Sequence, residues 1–219
     1  MASLPFGKYL PFDLRKWLTI PGPLRPLFFR PAPELQVDED LVLRGLGPEH
    51  TDALFALIDR NRDHLRAWLS WVQNVQTPEQ TRSYLTQVNY RNIFSGGWAY
   101  GIWHRGELAG LLEFNEGDAE EARVSLGYWL GAQYTGLGLI TRCCRASLDY
   151  AFSRHPIHKV LIKCAAQNER SQNVARRLRF MWEGIEHAGG LLNGAPIDVV
   201  TYGMRRQDWL RVWEDAAPV

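Results

Sequence analysis

Residues 133–138 read QYTGLG and stand between a strand-like run, VSLGYWL at 124–130, and a helix-like one, LITRCCRASLDYAF at 139–152. Two glycines one residue apart at such a junction mean that something approaches the backbone closely. A helix starting after Gly136 and Gly138 leaves its first N–H groups without internal partners, and the positive end of its dipole points the same way. That is a seat for an anion. With no side chain at either glycine, phosphate oxygens reach hydrogen-bonding distance of the main chain, so the expected guest is a diphosphate. The dinucleotide fingerprint requires G-x-G-x-x-G after the first strand of a repeated parallel unit, and the P-loop requires a lysine after its second glycine. Leu139 and Ile140 follow Gly138 here, and neither pattern fits. The plain alternative is a glycine-rich turn that caps a helix.

The flanking chain alternates in a way that places this junction. LVLRGL at 41–46 is short, apolar and β-prone. GPEHTDALFALIDRN follows, with Pro48 near a helix start and Leu54, Leu57 and Ile58 on one helical face. HLRAWLSWV adds a second helical piece. Thr77 as N-cap, Pro78 at the first helical position and Gln80 at the capping-box position open a helix to about Phe94. WAYGIW and LAGLLEFN flank a turn at Gly106 and form a hairpin, with RVSLGYWL as the next strand. After QYTGLG come a helix to about Arg154, the strand KVLIKCAA, a helix from about Ser171 to Leu178, and two strands around MWEGIEHA and DVVTYGMR. Consecutive strands in the first half pair antiparallel, whereas the strand–helix–strand unit over 124–166 needs a parallel crossover. The expected fold is α/β, a mixed and mostly antiparallel central sheet with flanking helices, occupying residues 37–219.

Residues 1–36 differ from the rest. They hold seven of the twelve prolines, mixed with Phe6, Tyr9, Phe12, Trp17, Phe28 and Phe29. Proline at this density excludes long helices and central strands, yet disordered linkers are poor in aromatics. The expectation is an extended arm laid on a surface, either of its own domain or of a second copy; the latter would make a homodimer.

Several partners are disfavoured by composition. A net charge of +1, without a basic stripe interleaved with stacking aromatics, argues against nucleic acid. Cys143, Cys144 and Cys164 contain no C-x-x-C pair, and their odd number suits no disulfide framework, so a reducing cytoplasm is expected. The six histidines show neither H-E-x-x-H nor paired Cys/His spacing, which gives a metal site no support. No apolar run reaches the ~18 residues of a membrane span.

Gln133, Gly136 and Gly138 also fill a Gln/Arg-x-x-Gly-x-Gly/Ala signature. NRDHLRAWLSWV, EFN, GYWLGAQYTGLG, CAAQNERSQNVARRLRF and DVVTYGMRRQDW occur in order over residues 41 to about 209. Together they resemble the GNAT N-acetyltransferase superfamily and, within it, the RimL branch of ribosomal-protein-serine acetyltransferases. The resemblance implies the GNAT fold, in which the strands on either side of QYTGLG splay apart and acetyl-CoA lies in the gap. Backbone groups of Tyr128, Trp129 and Leu130 would pair with the pantetheine arm as an extra strand would. Gln133 and the amides of Tyr134, Thr135, Gly136, Leu137, Gly138 and Leu139 would hold the pyrophosphate. Asn168 and Ser171 would lie beside the thioester, with Ser171 near the sulfur as proton donor. A serine at a predicted helix start is also an N-cap on general grounds, so two uses of this hydroxyl compete.

Amine acetylation needs a neutral nitrogen, stabilisation of the carbonyl oxyanion and a proton for the departing thiolate. The resemblance implies a glutamate base in the loop before the last strand, but Gly190 stands there, and Ser125 occupies a second position where many relatives carry glutamate. Arg179 replaces a glycine of the family at a helix end. Glu113, Glu186 and His187 are local substitutes. Alternation puts Glu113 on the face of Asn115, and the competing reading is a solvated strand carboxylate. An α-amine has a pKa near ~8 against ~10.4 for lysine, so a weak base suits an N-terminal acceptor. Trp68 and Trp71, three apart near Leu65, either line the acceptor groove or fill the core, and Arg62, His64 and Arg66 either meet an acidic acceptor or form a solvated face. The expected activity is acetyl-CoA-dependent transfer to a protein N-terminus. Transfer to a small amine such as a polyamine or antibiotic, and an idle acyl-CoA-binding protein, are the alternatives.

Overall fold

A computed structural model describes residues 33–94, 98–118 and 122–213. The first strands, Leu35–Asp38 (β1) and Leu41–Gly45 (β2), pair antiparallel at one edge of an eight-stranded sheet. Trp98–His104 (β3), Glu107–Asp118 (β4) and Arg123–Leu130 (β5) continue the antiparallel run. Lys159–Ala165 (β6) lies parallel to β5, and Met181–Leu192 (β7) and Ala195–Arg205 (β8) complete the order β1-β2-β3-β4-β5-β6-β8-β7. Of the expected N-terminal arm, residues 1–32 lie outside the described residues, while Leu35 and Gln36 already belong to β1.

Helices cover both faces. Thr51–Arg60 (α1), Arg62–Arg66 (α2) and Pro78–Phe94 (α3) lie on one side. Leu139–Arg154 (α4), Glu169–Arg177 (α5) and Arg206–Trp213 (α6) pack on the other. The capping box that opens α3 is present: the Thr77 N–H donates to Gln80 Oε1 at 3.0 Å, and the Gln80 N–H donates to Thr77 Oγ1 at 3.4 Å. The piece HLRAWLSWV is not one helix. It ends at Arg66, passes through extended Leu69 (φ −131°) and resumes as a 3₁₀ turn over Ser70–Asn74.

Strand alternation divides the interior into two cores. Trp98, Tyr100 and Ile102 of β3 and Leu112 and Phe114 of β4 face α4, whose Cys143, Cys144, Leu148 and Phe152 are buried against them. Ala99, Leu108 and Leu111 face α1 and α3, where Leu54, Leu57, Ile58 and Leu85 are fully enclosed. Two hairpins close on residues of positive φ, Arg105–Gly106 (53° and 82°) and Asn193–Gly194 (51° and 84°), the pairing that suits the twist of antiparallel strands. The second overturns the expected loop before the last strand: 181–192 is continuous strand, with bulges, and Gly190 pairs with Ile197 inside it.

The β5–β6 contact decides where a ligand can enter. Only three pairs hold these strands together, Arg123↔Lys159, Val124↔Val160 and Ser125↔Leu161. Beyond them the strands diverge, as the family resemblance implies for the strands on either side of QYTGLG, while their parallel pairing is the crossover that the strand–helix–strand unit predicts.

Candidate active site

The divergence opens a cleft of about 1350 Å³ whose walls are Leu126–Leu130 of β5, Ile162–Ala165 of β6 and the first turns of α4 and α5. β5 pairs with β4 through Leu112↔Tyr128, Leu111↔Trp129 and Gly110↔Leu130, so the opposite backbone edge of Tyr128, Trp129 and Leu130 faces the gap. Their side chains are not equally free. Trp129 is 7% exposed and its ring lies 6.1 Å from that of Trp71, so it serves the core behind the sheet.

At the floor of the cleft α4 begins on Gly138, which has φ 73° and supplies no side-chain cap. Gly136 has φ 82°, and a Cβ at either glycine would meet nothing within 4 Å. Left-handed backbone explains the glycines, and the open space above them leaves the helix N–H groups accessible. The first intrahelical bond is from the Arg142 N–H to the Gly138 carbonyl at 3.2 Å. Arg142, which pairs with Asp38, also lines the cleft and adds positive charge. Thr135 Oγ1 donates to the Ala132 carbonyl at 2.8 Å, which steadies the turn before the glycines. Tyr134 turns its phenol out to donate to Glu107 Oε2 at 2.8 Å, Leu139 is buried in the core, and Leu137 is exposed. Gln133 lies outside the cleft lining.

Across the gap, α5 is capped by Asn168, whose Oδ1 accepts the Ser171 N–H at 3.1 Å. The cap is therefore Asn168, and the Ser171 hydroxyl is released from that duty. Its Oγ lies 3.1 Å from Tyr128 Oη, which also donates to the Ser171 carbonyl at 3.2 Å. Burial, foremost, raises the Tyr128 phenol well above its ordinary range, so it stays protonated. Cys164 lines the same wall, and burial pushes its thiol up while a hydrogen bond from Ser171 partly offsets the rise.

Among the described residues that line the cleft, Glu113 is the single carboxylate. It is 2% exposed, with Tyr84 Oη 3.5 Å from Oε2, so the solvated-strand reading fails. Asn115 lines the cleft beside it, as alternation predicts. Glu186 and His187 lie outside the lining and are exposed. His187 Nδ1 is 3.0 Å from Asp198 Oδ2, and the Ala188 N–H and His187 together hold the Asp198 carboxyl below its usual range. Ser125 sits in the ladder between Asn115 and Leu161. Gly190 does line the cleft, but a Cβ there would come within 3.1 Å of Val199 Cγ2.

The far end of the cleft is lined by His64, Leu65 and Trp68. Trp68 is 38% exposed whereas Trp71 is 2% exposed, so the broken helix sends one tryptophan to the groove and the other to the core. Arg62 is held by Asp59 and the Val72 carbonyl, and Arg66 by Asp63, so neither lines the cleft. The β7–β8 turn bends over this end. Asn193 donates from its backbone N–H to Ser70 Oγ at 2.9 Å and from Nδ2 to the Arg66 carbonyl at 3.0 Å. This bridge was missed in the sequence, although Asn-Gly is a strong hairpin signal that would have located the turn.

Residues 40–181 match the family model described as "Acetyltransferase (GNAT) domain". The chain belongs to this family and is an acetyltransferase. It is 30% identical over 174 residues to the ribosomal-protein-serine acetyltransferase of Escherichia coli (strain K12), a match covering 77% of this chain and 94% of that protein. Its fold is similar to that of RimL, a ribosomal alpha-N-protein acetyltransferase solved in complex with coenzyme A, with a TM-score of 0.77 and 30% identity over 80% of this chain and 99% of that one. The microcin self-immunity acetyltransferase MccE, in complex with acetyl-CoA and AMP, superposes with a TM-score of 0.76 at 25% identity over 82% of this chain and 99% of that one. The residues present suit acetyl-CoA. An unladdered strand edge fits a pantetheine arm, and an open helix start without Cβ atoms, beside Arg142, fits a diphosphate.

Proposed function

We propose that the protein transfers the acetyl group of acetyl-CoA to the α-amine of a protein N-terminus, in the cytoplasm. One observation carries this reading: the three-pair β5–β6 contact opens over the uncapped start of α4, with Ser171 on the facing wall. Bound acetyl-CoA supplies the thioester. Gly136, Gly138 and the first N–H groups of α4 hold its diphosphate, and the free edge of Tyr128–Leu130 holds its arm in line. Asn168 fixes the first turn of α5 so that Ser171 protonates the thiolate as the C–S bond breaks. Glu113 takes the proton that the amine sheds as its nitrogen bonds to the carbonyl carbon. An α-amine, with a pKa near ~8, asks less of that base than a lysine. The acceptor enters beside Trp68 and His64, under the Asn193 bridge. The ribosomal-protein-serine acetyltransferase relative supports a protein acceptor, and three free buried cysteines suit a reducing compartment.

Thiol release distinguishes the acceptors when three amines are compared: a peptide with a free N-terminal serine, the same peptide N-terminally blocked but containing lysine, and spermidine. Turnover should be confined to the first. Turnover on spermidine alone would move the acceptor to small amines. Calorimetry showing no uptake of acetyl-CoA would overturn acetyl transfer itself.

A further inference from the structure

The α-helices contain three other serines among the described residues, and all three behave alike. Ser83 Oγ donates to the Glu79 carbonyl at 2.9 Å, Ser147 Oγ donates to the Cys144 carbonyl at 2.9 Å, and Ser153 Oγ donates to the Asp149 carbonyl. Thr86 does the same toward Arg82 at 2.9 Å, whereas the buried Thr81 hydroxyl in that helix makes no such bond. Back-bonding to the preceding turn is a common use of a helical hydroxyl. Ser171, in the first turn of α5, departs from it: its Oγ meets Tyr128 Oη at 3.1 Å, 43 residues away in sequence.

We infer that Tyr128 is a positioning residue for the acetyl transfer, holding the Ser171 hydroxyl off its own helix so that its single proton is directed at the departing thiolate. The phenol touches Ser171 twice, at the carbonyl and at Oγ, and its ring is packed against the core, so the contact is fixed in two directions. Its hydroxyl stays protonated, and its one proton lies between the two acceptors of Ser171, shared by the carbonyl at 3.2 Å and Oγ at 3.1 Å. With that lone pair filled, the Ser171 proton points away from Tyr128 and into the cleft, which Cys164 also lines. A thiolate in that cleft is the atom this hydroxyl would serve in the reaction. Tyr128 transfers no proton and remains neutral. Its contribution is to remove the competing rotamer, and it rests on the role given to Ser171 under the proposed function.

The test is a double-mutant cycle on the full chain, Tyr128→Phe with Ser171→Ala, using acetyl-CoA and a peptide with a free N-terminus. Tyr128→Phe should lower kcat about tenfold, as expected for one lost hydrogen bond to a reacting group, with the KM for acetyl-CoA unchanged. In the Ser171→Ala background the same change should have no further effect, because it acts through a hydroxyl already gone. A phenol that merely packed the cleft wall would cost the same in both backgrounds. 3-Fluorotyrosine at 128, which keeps the hydroxyl, should retain the rate, and CoA calorimetry on each variant verifies the fold. Wild-type kcat in Tyr128→Phe, or an equal loss in both backgrounds, overturns the inference while leaving Ser171 as the donor. Wild-type kcat in Ser171→Ala overturns both.

Discussion

Two helices begin at the cleft, and their first turns are built in opposite ways. α5 starts on Asn168, whose side chain accepts a backbone N–H of its own helix. α4 starts on a left-handed glycine that gives its helix no side-chain bond. A capped start satisfies itself and becomes a rigid mount, here for Ser171. An uncapped start between glycines keeps its donors for something else. The pair teaches that the absence of a cap, where a cap would be easy to supply, is as informative as its presence.

The contrast is broken most severely by giving α4 the cap it lacks. Gly138→Asp places a carboxylate that tolerates left-handed backbone at the N-cap, where it occupies the donors and opposes a diphosphate. CoA affinity should fall about a hundredfold in calorimetry, given ~1.4 kcal/mol per tenfold, while the melting temperature holds. Unchanged affinity would show that the glycine junction seats no ligand. Glu113→Gln sharpens the other half by keeping size and burial but not basicity. It should lower kcat about a hundredfold at neutral pH with CoA binding intact, and an unaltered kcat would place the proton acceptor elsewhere. Uncapping α5 with Asn168→Ala should cost about 1 kcal/mol in urea unfolding, with a lower kcat as Ser171 loosens.

The opposite ends of the same two helices yield smaller effects. α5 ends in a Schellman pattern, with the Phe180 N–H donating to the Ala175 carbonyl and the Arg179 N–H donating to the Arg176 carbonyl, both at 3.0 Å. Arg179 sits there at φ 62°, so Arg179→Gly should stabilise by about 1 kcal/mol by relieving left-handed strain. α4 ends at His155, whose ring centroid lies 4.0 Å from that of Trp98 and whose pKa burial lowers to about 4. An unfolded histidine titrates near ~6.5, so as pH falls the unfolded chain takes up a proton that the folded one refuses. Stability should therefore decline between those values. Denaturation at successive pH values should show a flatter decline in His155→Phe.

Local chemistry made much of this legible in the sequence. The Thr77–Gln80 capping box, the Gly106 hairpin and the strand–glycine–helix junction each announce themselves within a few residues. Depth and distance do not. Alternation put Glu113 on the right face but said nothing of its burial under α3. Tyr128 and Ser171 meet only because β5 and α5 flank one gap. Trp68 and Trp71 part because Leu69 is extended, a break that no proline or glycine marks. β1 hides in a proline-rich tract as four residues, and the loop that the family resemblance implied around Gly190 is strand, with the β7–β8 turn at Asn193–Gly194 beyond it.

The three rungs between β5 and β6 have a mechanical consequence. Among the described residues they are the only strand pairs joining a raft of five strands to a raft of three, with α4 as the strap across them. Such a joint is compliant when empty, and an extended guest lying along it is a missing strand that stitches the rafts into one sheet. Occupancy would then be felt as stiffness well beyond the atoms touched, with the amides of residues 126–130 first to slow their exchange with solvent.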